Sequence, residues 1–351
     1  MNIVYSFNKK GFEAEYWQRE IAAASGQGTT FVPFNHDPYL AVSRYLRAQQ
    51  LDQLWHDRDP GLLRMYGDLQ SRIEEHRADA LIVDNCFPYH PEFLRTLRIH
   101  KVLRTSDGPL AAYDRDFAYV HAYDQVLYHS PAYSRDLGME EKLRYVGARR
   151  ADFWPLALFD RMFDPTKDTQ TLMAQPRDFE IVFVGALFVN KMPLLARVKK
   201  AFGSRVRLHG LASWKRNVYF NAKHGFPGWI RAISFEEYVP LYQRSRIGIN
   251  VHNRGMYTVG GFRLFELPGN GVMQISDGGP YLSRWFDVGR EVVGYETADE
   301  LVCKIAYYLD HEEERVRIAA AGHRGVMERH RLRTRMHEAV DLIRAGMARQ
   351  I

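Results

Sequence analysis

Cysteine is nearly absent: Cys86 and Cys303 are the only two among 351 residues, and they form no C-x-x-C pair. That scarcity excludes a disulfide framework and a thiolate zinc knuckle. No apolar run approaches the roughly 20 residues that span a bilayer. The opening residues, Met1-Asn2-Ile3-Val4-Tyr5-Ser6-Phe7, start a strand without the charged-then-apolar pattern of a leader. A cytoplasmic location is therefore expected. The chain has no Walker loop, no G-x-S-x-G and no H-E-x-x-H. Its 14 histidines are dispersed without ligand spacing. Two D-x-D triplets occur, Asp57-Arg58-Asp59 and Asp114-Arg115-Asp116. A metal-binding D-x-D of a sugar-transfer site should end an apolar strand and neither does, so both read as solvated charges. No cofactor and no metal are expected.

An apolar fraction of 46% with 26% charged residues is that of a soluble globular protein, and the length fits two domains of about 150 residues each. Net charge is +6, a mild basic excess that does not by itself mark a nucleic-acid binder. Part of it clusters late, in Arg324, Arg329, Arg331, Arg333 and Arg335, on a terminal helix. A solvated face or an interdomain contact explains that cluster; an acidic acceptor, an anionic membrane or nucleic acid is the other reading. The 20 Tyr and 20 Phe suit wide, sugar-friendly clefts and a packed core equally.

Apolar runs alternate with helical patterns along the first half, as in a parallel sheet with crossover helices. Strands are expected at 2–6, 29–34, 80–83, 101–105, 125–129 and 143–146, and helices at about 11–24, 38–55, 60–77 and 90–98. Several strands end in polar clusters, Asp84-Asn85, Ser106-Asp107-Gly108-Pro109 and His129-Ser130-Pro131, and ligands of open α/β sheets collect beyond such ends. Trp154-Pro155-Leu156-Ala157-Leu158 closes this half, and a polar linker is expected over 160–175. The pattern then restarts with strands at 180–185, 205–209, 247–252 and 271–275. Helices are expected at 192–202, 235–245 and 299–310, and from Glu312 onward. The expected domains are 1–160, 176–325 and a final helix, 326–351.

The most telling stretch is Gly260-Gly261-Phe262-Arg263-Leu264-Phe265-Glu266, followed by Leu267-Pro268-Gly269-Asn270-Gly271-Val272-Met273-Gln274-Ile275-Ser276-Asp277. It reads as a glycine-opened helix, a turn and a short strand ending on Asp. Gly260 and Gly261 let a ligand approach bare backbone, and amides at a helix start favour an anion such as a diphosphate. Arg263 and Glu266, three apart, share a helix face. Arg263 suits a bidentate phosphate contact, and Glu266 can accept hydrogen bonds from ribose hydroxyls. Phe262 and Phe265 read as core. Gly185 ends a strand where a loop can fold beneath a phosphate, and Lys191 stands six residues on, either as its counter-cation or as a solvated lysine. Asn250, His252 and Asn253 lie at a strand's carboxyl edge; His252 is either a contact to donor sugar or base or a hydrogen-bonded strand-end histidine. Asn253 to Tyr257 is a turn leading into a covering loop, with Tyr257 placed to pack on the base or sugar. In the first half Asp84, Asp107, His121 and His129 are candidates for acceptor contact or proton transfer. Asp107, before Gly108-Pro109, also has the character of a turn residue.

Residues 247–335 resemble the donor domain of GT-B glycosyltransferases, most closely the spore maturation protein B (CgeB-like) group related to glycosyltransferase family 4. The pieces come in that family's order. They are Ile247-Gly248-Ile249-Asn250-Val251-His252, the F-R-L-F-E and G-N-G-V-M-Q-I-S-D segments, then Glu291 to Leu301 and Ile318 to His330. The resemblance implies a GT-B fold: α/β, two Rossmann-like domains facing a cleft, with the last helix crossing back to the first domain. It implies that Glu266 holds the nucleotide ribose and that a basic residue, here Lys191, follows the F-V-G strand. The implied activity is transfer from a nucleotide diphosphate sugar, UDP-sugar foremost, to an acceptor hydroxyl, retaining and metal-independent, with the acceptor on the first domain. One departure matters: family 4 carries E-x7-E, and Thr258 stands where the first Glu would meet the transferred sugar. The acceptor class stays open among glycan, small molecule, protein and nucleic acid, including DNA. The competing readings are a nucleotide-sugar epimerase or phosphorylase, and a non-catalytic or nucleic-acid-associated protein of this fold.

Overall fold

The computed structural model describes residues 1–40, 47–84, 88–105, 117–134, 137–252 and 260–348. They form two compact units, Met1–Pro155 with Arg333–Ile351, and Leu156–Leu332.

The first unit is built on β1 (Asn2–Phe7), β2 (Thr30–Asn35), β3 (Ala80–Asp84), β4 (His100–Thr105), β5 (Gln125–Tyr128) and β6 (Ala151–Phe153). They are ordered β2-β1-β3-β4-β5-β6, every neighbouring pair parallel. Between them run α1 (Phe12–Ala23), α2 (Ala48–His56), α3 (Pro60–Glu75), α4 (Pro91–Thr96) and α5 (Met139–Tyr145). Ile3, Val4, Leu81, Ile82 and Val83 are fully buried, so β1 and β3 read as continuous apolar runs, as strands covered on both faces do. Asp59 caps α3 by accepting from the Leu62 amide at 2.8 Å, and Asp57 accepts from Gln53, so that D-x-D has ordinary structural work. The strand expected at 143–146 is the end of α5. Met139 and Leu143 bury one face four residues apart and Arg144 pairs with Glu140 at 2.7 Å, which is helical spacing; the sixth strand is Ala151–Phe153.

The second unit contains β7 (Phe179–Val184), β8 (Val206–His209), β9 (Ser245–Asn250), β10 (Met273–Ser276) and β11 (Val293–Gly294), ordered β11-β10-β9-β7-β8 and again parallel. Its helices are α6 (Thr169–Ala174), α7 (Met192–Phe202), α8 (Trp214–His224), α9 (Phe235–Gln243), α10 (Arg263–Gly269), α11 (Ala298–Asp310) and α12 (Glu312–Arg329). Helix α8 was not expected from the sequence. It buries only Asn217 and Phe220, too few positions to produce a readable 3.6-residue stripe.

Helix α13 (Leu332–Met347) belongs, from Arg333 onward, to the first unit. Met336, Ala339, Val340 and Ile343 are buried there. Trp154 Nε1 donates to the Arg335 carbonyl at 2.6 Å, Gln125 to that of Leu342 at 3.1 Å and Arg150 to that of Ala345 at 3.0 Å. Three of the late arginines are neutralised locally: Arg329 by Glu291, Arg331 by Asp160 and Arg335 by Glu338.

In each sheet the chain reverses its direction of progress between the first strand and a later neighbour, β1 and β3 in one, β7 and β9 in the other. Crevices outside the carboxyl ends at such points are where ligands of this architecture bind.

Candidate functional site

At the carboxyl ends of β7, β9 and β10 the second unit gathers Gly185, Asn250, His252, Arg263 and Asp277. Arg263 enters from the start of α10 and lies across the strand ends. Its Nε donates to the Val184 carbonyl, and its Nη1 is 3.4 Å from both Asn250 Oδ1 and the Val251 carbonyl. The guanidinium stacks over Phe183, 4.9 Å from the ring centre. Gly185 is required here for space: a Cβ on it would overlap the Arg263 guanidinium.

Lys191, in the loop between β7 and α7, is buried, with its ammonium 5.8 Å and 5.5 Å from the ring centres of Phe183 and Phe188. Burial pushes its amine down to about 7; the nearby Arg263 charge adds to the shift and Asp277 opposes it. Two cations thus share one strand-end crevice, and neither forms an ion pair among the described residues. The crevice has the electrostatics of an anion site.

Glu266, one turn into α10, is half-buried. Desolvation raises its carboxyl to about 7, against the pull of Arg263 and Arg161. Buried Tyr242, on α9, feels both Glu266 and Arg263, and its phenol is raised chiefly by burial. Phe265, on the opposite side of α10, is fully buried and meets His330 and Phe286 at ring distances of 4.9 Å and 6.1 Å; Phe262 packs on Phe159 at 5.6 Å. One face of α10 is core, and the other carries Arg263 and Glu266.

His252 is buried and fully engaged. Its Nδ1 is 2.6 Å from Asp277 Oδ1, and its backbone amide donates to the same carboxylate at 3.0 Å. The Asp277 contact places the proton on Nδ1, so Nε2 accepts from the Gly260 amide at 3.3 Å. His252 is thus a strut joining β9, the end of β10 and the glycine turn. Gly260 sits at φ +105°, which only glycine adopts without strain. Around Gly261 a Cβ would meet nothing, so the backbone before α10 is open to approach. Asn250 donates to Ser276 Oγ at 3.0 Å, and Tyr295 Oη donates to the Asn250 carbonyl at 3.3 Å.

Of the residues singled out in the sequence, Gly185, Lys191, Asn250, His252, Gly260, Gly261, Arg263 and Glu266 come together. Asn253, Tyr257, Thr258 and Asp107 lie outside the described residues. Asp277, which fixes His252, was missed as a site residue; its position ending a strand two residues past Ile275 was the available signal. Arg161, Tyr242 and Tyr295 carried none, since they reach the site from distant segments.

The first sheet's carboxyl end is organised differently. Buried Arg104 donates to Tyr5 Oη at 2.6 Å and Asp84 Oδ2 at 3.1 Å, and stacks over Trp154 at 4.5 Å. Ser6 Oγ bonds His36 Nδ1 at 2.9 Å and Tyr89 Oη at 2.7 Å, and burial drives His36 down to about 3. His129 Nδ1 donates to the Thr105 carbonyl at 2.7 Å, while His121 is exposed.

Residues 191–341 match the family described as glycosyl transferase-like. No curated protein matches the chain in sequence. Among solved structures it is similar to sucrose-phosphate synthase from Thermosynechococcus elongatus, at 13% identity and TM-score 0.65 over 99% of each chain. It is also similar to Anabaena HepE in complex with UDP and glucose, at 12% identity and TM-score 0.60 over 98% of this chain and 100% of that one. A UDP-N-acetylglucosamine 2-epimerase-like protein from Listeria monocytogenes matches at 12% identity and TM-score 0.52, over 93% and 94%. No helix among the described residues is long and apolar enough to cross a membrane. Residues 191–341 are thus similar to a glycosyl transferase-like domain, and the fold is the GT-B fold of two Rossmann-like units.

Proposed function

We propose that the chain is a glycosyltransferase that takes a sugar from a nucleotide diphosphate sugar, UDP-sugar foremost, and passes it to an acceptor hydroxyl. The observation that carries this reading is the trio Lys191, Arg263 and Glu266 at the switch point of the second sheet. Two cations suit a diphosphate, and a carboxylate one turn along the same helix suits the adjoining ribose. HepE, of similar fold, has been crystallised with UDP and with UDP-glucose. The ordered motifs from Ile247 to His330 resemble those of the spore maturation protein B group, which supports this reading.

In this reading the second unit binds the donor and the first the acceptor. As the anomeric C–O bond breaks, charge grows on the leaving diphosphate, where Arg263, Lys191 and the open amides before α10 stabilise it without a metal. A retaining front-face displacement needs no protein base, because the departing phosphate oxygen takes the acceptor proton. His252 holds the glycine turn in place through Gly260 and is a positioning residue. An epimerase would need a free acid/base pair beside the sugar; Asp277, the carboxylate at these strand ends, is committed to His252, which favours transfer.

The test is a thermal-shift panel of UDP, GDP, TDP and CDP with their sugar conjugates. A ligand at 100 times its Kd stabilises by about 2.7 kcal/mol. We expect a UDP-sugar shift that disappears in Glu266→Ala, with sugar release onto added acceptors lost in the same variant. Silence across the panel, or wild-type turnover in Glu266→Ala, overturns the assignment.

A further inference from the structure

Between Glu180 and Glu236 the chain has no acidic residue at all, yet holds ten Lys and Arg. The remainder of the chain is net negative, so the whole basic excess of the protein resides in this one stretch of the second unit. The stretch runs through α7, edge strand β8 and α8, along one side of the sheet. Among the described residues Lys199, Lys200, Lys215, Arg216 and Lys223 meet no carboxylate. Arg197, Arg205 and Arg231 pair with Asp299, Glu180 and Glu237, all outside the acid-free segment.

The same stretch holds more than half of the large apolar side chains exposed among the described residues. Leu211, just before α8, and Trp214 and Val218 on it follow at spacings of three and four and are all exposed, while Asn217 and Phe220 are the buried positions of the helix. Past the helix end the chain doubles back alongside it. Asn217 holds the Ile230 backbone at 2.8 and 3.1 Å, and Asn221 holds that of Gly228 at 3.0 and 3.3 Å. This return displays Phe226 and Trp229, 81% and 60% exposed. Phe226 adopts φ +57°, a left-handed conformation unfavourable for an aromatic residue, with its amide donating to the Asn221 carbonyl at 3.0 Å and its ring 81% exposed. Beside it opens a shallow groove of about 570 Å³, lined by Arg197, Lys199, Lys200, His224, Phe226 and Pro227.

We propose that α8, the 226–229 return and the groove beside α7 form a peripheral anchor for an anionic phospholipid surface. Trp and Phe with interspersed Lys and Arg match the headgroup boundary. Rings enter the acyl edge, the long cationic side chains meet phosphates, and the groove takes one headgroup. Charge complementarity names the partner: the segment supplies ten cations and no carboxylate, and the three acids that reach it, Glu180, Glu237 and Asp299, are each paired to one arginine, so the face stays net positive toward an anionic bilayer. A second copy of this same basic face would repel it. Nucleic acid would use the charge and the rings, but gains less from aliphatic Leu211 and Val218 than a bilayer does. The inference is independent of the sugar-transfer reading.

The test is co-sedimentation of the full chain with vesicles of phosphatidylcholine alone and of phosphatidylcholine with an equal part of phosphatidylglycerol. Tryptophan emission is recorded alongside, and a duplex DNA is titrated in parallel. We expect binding to the anionic vesicles only, with a blue shift. Each basic residue near the surface contributes on the order of fivefold. Lys200→Glu with Lys223→Glu therefore lowers partitioning by at least about 25-fold. Trp214→Ala, Phe226→Ala and Trp229→Ala together abolish the blue shift and weaken vesicle binding at unchanged melting temperature, since all three are exposed. The proposal fails if anionic vesicles do not bind at low salt. It also fails if the aromatic replacements leave vesicle binding intact, or if they weaken DNA binding equally, which would make the face a nucleic-acid surface.

Discussion

At the carboxyl end of the first sheet, Arg104 is buried against Asp84, Tyr5 and the Trp154 ring, so its charge is matched where it lies. At the corresponding end of the second sheet, Lys191 and Arg263 are held near one another with no anion paired to them among the described residues, and desolvation raises the Glu266 carboxyl to about 7. A charge satisfied inside the chain stabilises the fold in which it sits. A charge kept unmatched weakens the ligand-free fold and strengthens the complex, because a ligand supplies the missing partner. The two ends of similar sheets therefore differ in whether the fold itself matches the buried charge, and the unmatched end is the one proposed to take an anion.

The largest effect should come from breaking the matched side. Arg104→Ala leaves Asp84 buried without its cation and should cost about 3–5 kcal/mol of stability. Denaturant titration reads this, and UDP affinity of the folded fraction should stay unchanged. An unchanged midpoint would mean that the cluster is solvated and that the contrast is false.

Next, Glu266→Ala should remove about 2–4 kcal/mol of donor affinity, on the order of 30- to 1000-fold, by calorimetry with UDP-glucose. The ligand-free protein should be no less stable than wild type. A raised folded-state carboxyl pKa contributes stability that is full below the unfolded value of about 4.3 and lost as pH rises through about 7. Glu266→Gln should accordingly flatten that decline in melting temperature between acid and neutral pH.

A finer test is pH. Ribose hydroxyls need the Glu266 carboxylate, which is lost below about 7, and a diphosphate needs the Lys191 ammonium, which is lost above about 7. Affinity for UDP-glucose, whose diphosphate does not titrate in this range, should be bell-shaped with its maximum near neutrality. Glu266→Gln should remove the acid limb and Lys191→Met the alkaline one. A flat profile would place neither group on the ligand.

The smallest effect expected is from chelation. Transfer activity should persist in EDTA, since two protein cations already face the diphosphate. Loss restored by Mg²⁺ or Mn²⁺ would show that they do not suffice.

Much of the candidate site was legible because its residues are contiguous or end strands. Gly260 to Glu266 is one helix start, Gly185 ends an apolar run, and Asn250 to His252 ends another. The misreadings have equally local causes. Leu143-Arg144-Tyr145-Val146 is too short to separate helix from strand, and α8 buries only Asn217 and Phe220, so no core imposes a readable pattern on it. The Asp277–His252–Gly260 relay was hidden because it joins two strand ends and a turn through side chains, which no spacing rule encodes.

The sequence by itself determined two parallel α/β units, through apolar runs alternating with helical periods. It also determined the chemistry of helix α10, through glycines, one Arg and one Glu at fixed spacing. Only the tertiary structure decided which charges would be matched. Arg104 and Lys191 are both cations buried in the fold, each with an apolar neighbour in sequence. Parallel pairing of β3 with β4 brings Asp84 onto the first, while the order β9-β7-β8 leaves the second beside another cation. Whether a buried charge is a rivet or a receptor depends on what the fold places within a few ångströms of it, because the interaction falls with distance and grows with exclusion of water.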